Sequence, residues 1–70
     1  MREVQITKEP VELYKLLKFE SMVTSGGEAK HVIADGQVSV NGQIELQKRK
    51  KIVSGDIVVF GEEQVLITLK

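Results

Sequence analysis

This sequence predicts an α+β fold, two short helices packed on a small, mostly antiparallel sheet, and three observations carry that prediction. Leu13, Leu16 and Leu17, and again Ala29, Val32 and Ile33, recur at helical spacing. Val38 and Val40 alternate with polar neighbours before Asn41-Gly42, the strongest short hairpin signal in the chain, and Ile44 and Leu46 continue the alternation beyond it. Ile57-Val58-Val59-Phe60 and Val65 to Leu69 flank the turn residues Gly61-Glu62-Glu63, which reads as a second hairpin. No internal repeat or low-complexity stretch interrupts the 70 residues, so residues 1–70 are expected to form one domain.

Taken in order, Val4 and Ile6 alternate with polar residues and predict a short first strand. Helix one is expected from Pro10 to about Phe19, because proline is tolerated at the first helical position, where its missing N–H would find no partner in any case. Ser25 followed by Glu28 has the spacing of a capping box, in which a hydroxyl and a carboxylate satisfy N–H groups at a helix start. Helix two is therefore expected from Gly26 to about Asp35, with Gly36 as its stop. Gln47 to Ser54 has too few apolar residues for a core element and predicts a basic loop or a frayed strand end. Gly55-Asp56 predicts a turn before the second hairpin.

Composition removes several function classes. The absence of cysteine and the presence of one histidine exclude zinc fingers, redox dithiols and disulfide frameworks. No apolar run approaches the roughly 18 to 20 residues of a membrane span, and Met1-Arg2-Glu3 leads into a polar stretch, so a soluble, cytoplasmic chain is expected. A ligand cleft of about 300 Å³ or more would consume much of so small a core, which argues against a small-molecule substrate. Ten basic and ten acidic side chains cancel. Their distribution is uneven: residues 29–55 hold five basic groups against two acidic, residues 1–28 hold four against five, and residues 56–70 hold one against three. The middle of the chain is a basic island.

Projection at 100° per residue places Ala29, Val32, Ile33 and Gly36 on one side of helix two and Gly27, Lys30, His31 and Ala34 on the other. Gly26 and Gly27 leave the first N–H groups uncovered at the positive end of the helix, where they offer a phosphate seat or serve local geometry. On helix one, Val11, Tyr14, Lys15 and Lys18 face outward. Tyr14 lies four residues from Lys18, so its ring is expected beside a cation, either flanking a nucleotide or covering the edge of the core. Lys48-Arg49-Lys50-Lys51 is either a nucleic-acid contact or a solubilising loop. Phosphate-cradling glycine motifs are absent, His31 lies more than a helical turn from Ser25, and no carboxylate pair faces an apolar pocket. Catalysis is not expected, nor is a metal or cofactor.

Leu13-Tyr14-Lys15-Leu16-Leu17-Lys18, Ser25-Gly26-Gly27-Glu28-Ala29-Lys30, Ile33, Gly36, Val38, Val40-Asn41-Gly42 and Gly55-Asp56-Ile57 together resemble the RNA-binding domain named after small-subunit ribosomal protein S-four, over about residues 11–60. The resemblance is to its stand-alone bacterial subfamily. It implies a two-helix element on a small sheet that binds structured RNA through helix two and the neighbouring basic loop, with some members linked to assembly of the large ribosomal subunit. Many members carry arginine where this chain has Glu12 and Gly26, so two phosphate contacts are absent. Lys15, Lys18, Lys30, His31, Lys48, Arg49, Lys50 and Lys51, with the backbone at Gly26 and Gly27, are then expected to hold the RNA of a monomeric module, ribosomal RNA or a pre-ribosomal particle. The alternative is a protein-interaction adaptor on a ribosome-associated enzyme, using the outer face of helix one with Val11 and Tyr14.

Overall fold

In the computed structural model, which describes residues 1–70, the alternation at the N-terminus forms β1 (Arg2–Ile6). Next come β2 (Val11–Glu12), α1 (Leu13–Phe19), α2 (Gly26–Ala34), β3 (Val38–Val40), β4 (Gln43–Ile44), β5 (Lys51–Ile52), β6 (Ile57–Phe60) and β7 (Glu63–Leu69). Five strands form one sheet in the order β1-β7-β6-β3-β4, and β2 pairs with β5 in a separate two-stranded ribbon. Only β1 and β7 run parallel, with Val4 opposite Ile67; every other pairing is antiparallel. No helix is long and apolar enough to cross a membrane.

Both helices lay their apolar stripes on one face of this sheet. Leu13, Leu16 and Leu17 of α1 and Ala29, Val32 and Ile33 of α2 are buried against Val4, Ile6, Val38, Val40, Val58, Val65 and Ile67, and no polar side chain is buried. Asn41 (φ 53) and Gly42 (φ 85) both take positive φ, the backbone that a tight hairpin turn needs to match strand twist. The turn is pinned from outside: Asn41 donates through Nδ2 to Asp56 Oδ1 (3.0 Å), and Ile57 N–H donates to Asn41 Oδ1 (2.9 Å).

Helix two follows the sequence closely. Ser25 Oγ accepts from Glu28 N–H (3.0 Å), and the helix closes with Gly36 at φ 80, where Gln37 N–H reaches back to Val32 C=O (3.0 Å). The Glu28 carboxylate does not return to the capping serine. It accepts from Thr24 N–H (2.6 Å) and Thr24 Oγ1 (2.8 Å), one residue earlier.

The structure corrects the sequence at three places. Helix one starts at Leu13, not Pro10, because Val11 and Glu12 pair as strand β2 with Ile52 and Lys51. Val11 therefore lies outside the helix, packed against the core, and does not belong to an outer face of α1. The basic segment does form a short strand, one of its two expected forms, but it also supplies a core residue that was not expected: Ile52 is fully buried, an anchor too short to show as periodicity. Finally, β4 ends at Ile44, whose partner Ser39 points away from the core between Val38 and Val40. Ile44 and Leu46 are accordingly exposed and add nothing to the buried side of the hairpin.

Candidate nucleic-acid interface

The start of α1 would ordinarily need a capping side chain, because the first N–H groups of a helix have no partner within it. Glu12 stands at that position and its side chain makes no capping bond. The basic segment supplies the acceptors instead: Leu13 N–H donates to Lys50 C=O (2.9 Å) and Tyr14 N–H to Lys48 C=O (3.0 Å). With Ile52 in the core and β5 on β2, these bonds fix Lys48 to Lys51 across the first turn of α1, turning their exposed side chains to solvent.

Tyr14 is the junction of three parts. Its amide holds the loop, its ring packs against the core, and Lys30 of α2 places its ammonium 4.8 Å from the ring centroid. Lys15 approaches the same ring at 5.9 Å. The cations at the ring are thus Lys30 and Lys15, not the expected Lys18, because α1 packs beside α2 and brings position 30 over position 14. An aromatic face attracts a cation by about 0.5 to 1 kcal/mol at an exposed site, enough to bias the half-buried Lys30 side chain without removing its charge from solvent.

Glu12 has a part that its reading as a lost phosphate contact did not suggest. Its two carboxylate oxygens face different cations, Lys15 Nζ at 3.2 Å and Arg49 Nε at 3.8 Å, tying helix to loop. Lys18, Lys30, Lys48, Lys50 and Lys51 enter no ion pair. Lys18 stands apart in the last turn of α1, at the far end of the helix from the loop. His31 is exposed on α2.

At the start of α2, Gly26 and Gly27 N–H donate to no protein acceptor, and a Cβ would meet nothing within 4 Å at Gly26 and only Ser25 Oγ, at 3.9 Å, at Gly27. Glu28 adds a negative charge beside these amides. The Thr24 N–H and hydroxyl hold its carboxyl below the usual carboxylate value. No group of three His, Asp or Glu side chains comes together to hold a metal ion.

A surface groove of about 440 Å³ opens between the end of β1, the Thr7–Pro10 connection and α1. The sequence did not indicate it, nor did it single out Lys8, which lines the groove and has no ion-pair partner. Only tertiary contact between the first strand and the first helix creates this space.

Comparison with known proteins bears on the family and the fold. The protein described as "Putative RNA-binding protein YbcJ" of Escherichia coli (strain K12) is 46% identical over 68 residues, spanning 96% of this chain and 97% of that one. "Probable ribosome maturation protein RlbA" of Bacillus subtilis (strain 168) is 32% identical over 66 residues, spanning 90% and 93%. The solution structure of YbcJ from E. coli, described as revealing an ALFAL motif involved in RNA-binding, superposes with a TM-score of 0.74 at 45% identity, covering 97% of this chain and 87% of that one. The family described as the S4 domain matches residues 4–68, reaching beyond the helices and first hairpin to include most of β1 and most of β7. With two helices on a mostly antiparallel sheet and that match along nearly its whole length, the chain belongs to the S4 domain family.

Proposed function

We propose that residues 1–70 act as one non-enzymatic RNA-binding domain that recognises structured RNA through its phosphates, with ribosomal RNA during large-subunit assembly as the target. It works in the cytoplasm as a monomer. The observation that carries this reading is the pair of hydrogen bonds from Leu13 and Tyr14 to the Lys50 and Lys48 carbonyls, which hold the basic loop beside Lys30 as one surface. The names of the two relatives, one an RNA-binding and one a ribosome maturation protein, support it. Lys18, Lys30, Lys48, Lys50 and Lys51 neutralise phosphates, Lys15 and Arg49 contribute through the Glu12 cluster, and Gly26, Gly27 and His31 meet the RNA from α2.

Five unpaired lysines set the expected salt response. At a slope of about −0.7 to −0.9 per phosphate, affinity for a labelled ribosomal RNA fragment falls about 100-fold or more between 50 and 200 mM salt. Lys50→Ala and Lys30→Ala each lower the slope by about one; Lys50→Ala leaves the melting temperature nearly unchanged, whereas Lys30→Ala, which also loses the contact with the Tyr14 ring, lowers it by a few degrees. A salt-independent affinity would falsify the phosphate model.

A further inference from the structure

The groove beside α1 is walled by Ile6, Leu16 and Phe19, and Phe19 is 66% exposed although it is one of only three aromatic residues in the chain. Its charges are balanced. Glu12 is held by Lys15 and Arg49, Glu20 is held by Arg2 at 3.4 Å, and Lys8 and Lys15 supply cations at the walls. Gln5 and Thr7 add exposed donors and acceptors. Such a space suits an uncharged planar ring with polar edges better than an anion or a cation.

We propose that this groove receives an unpaired nucleobase, stacked on Phe19, from an RNA seated on the basic surface; the inference rests on the RNA reading above. Two residues make the groove and the basic surface continuous. Lys15 lines the groove and also approaches the Tyr14 ring, and Glu12 lines the groove and also pairs with Arg49 of the basic loop. The groove therefore runs along α1 from Glu12, beside the loop, to Phe19 at the other end of the helix, so that a base on Phe19 belongs to a nucleotide further along the strand than the one whose phosphate lies on the loop. Folded RNA supplies such bases at bulges and loops, where aromatic side chains stack on them, and a continuous duplex does not. The volume, about 440 Å³, lies within the usual range for small-ligand pockets, about 300 to 1,000 Å³. The domain then combines phosphate contacts, which set affinity, with one site that tells an interrupted helix from an unbroken one.

The test uses two labelled RNA hairpins identical except that one carries a two-nucleotide bulge, with the full chain titrated into each at 50 and 200 mM salt. The protein is expected to bind the bulged hairpin about five- to 150-fold more tightly, the range measured for one base stacked on an aromatic residue. Phe19→Ala then binds both hairpins with the affinity the parent shows for the paired one, at an unchanged salt slope and melting temperature, and Phe19→Trp restores the preference. Equal affinity of the parent for the two hairpins, at a steep salt slope, overturns the groove and leaves the phosphate reading standing. A preference that survives Phe19→Ala overturns it as well. Failure of the parent to bind either hairpin at 50 mM salt overturns both.

Discussion

Ser21 takes φ 57, a left-handed conformation that costs a residue with a Cβ roughly 1 to 2 kcal/mol. It does so where α1 stops: Ser21 N–H returns to Lys18 C=O (3.1 Å) and Met22 N–H to Leu17 C=O (3.0 Å), the bond pattern that Gly36 supports after α2. The two helix ends are thus built alike, and only the second has the residue that suits the geometry. Ser21→Gly is expected to stabilise the domain by about 0.5 to 1 kcal/mol after the extra freedom of glycine in the unfolded chain is subtracted. Thermal unfolding reads this as a rise of a few degrees, and an unchanged or lower midpoint would show that the serine conformation is not strained. Serine gave no sign of this role, since sequence reading looks for glycine or asparagine after a helix.

The basic segment and α1 behave as one element despite lying more than 30 residues apart in the chain. Ile52 is fully buried and pins β5, whose neighbours at Lys48 and Lys50 cap the helix. Ile52→Val removes one methylene and is expected to cost about 0.5 to 1.5 kcal/mol. Hydrogen exchange should show the Leu13 and Tyr14 amides losing more protection than those of β6 and β7, while equal losses would mean that loop and helix open only with the whole molecule. At the start of α2 the relevant variable is pH. The Thr24 N–H and hydroxyl lower the Glu28 pKa from its ordinary 4.5, so this contribution is present above that value and is lost as pH falls through the lowered one. The melting temperature of Glu28→Gln should therefore lie below that of the parent at pH 7 and converge with it once the pH falls below the lowered Glu28 pKa. A constant gap would assign the effect to shape, not charge.

At the scale of the molecule, the charge distribution has a direction. The sheet face turned away from the helices presents Ser39, Ile44, Ile57, Val59, Gln64 and Leu66 and, by strand alternation, no lysine or arginine from its five strands. The cations of the basic island, Lys30 and Lys48 to Lys51, lie with the helices and their loop, so zero net charge coexists with an uneven placement of the positive groups. Fold class, both hairpins and the span of α2 were legible because each is written in local periodicity and turn chemistry. Three features depend on contacts between distant positions and have no local signature: β2 paired with β5, Tyr14 beneath Lys30, and the groove against Phe19. The expected site residues near the loop converge for the same nonlocal reason, whereas Lys18 remains apart because helix length alone separates it from that end.

β1 has β7 as its sole neighbour in the sheet, and the two pair in parallel from opposite ends of the sequence. Contacts of such long range are the slowest to form, since nearly the whole chain must be gathered before they repay its lost freedom. During synthesis, Val4 and Ile6 have no strand partner until residues 63–69 have been made and released from the exit channel. Everything from α1 to β6 can begin to assemble earlier, but an elongating chain keeps an unpaired, partly apolar first strand throughout. Completion of this fold is tied to the last strand made, and a chain broken off before it leaves the first strand without its partner.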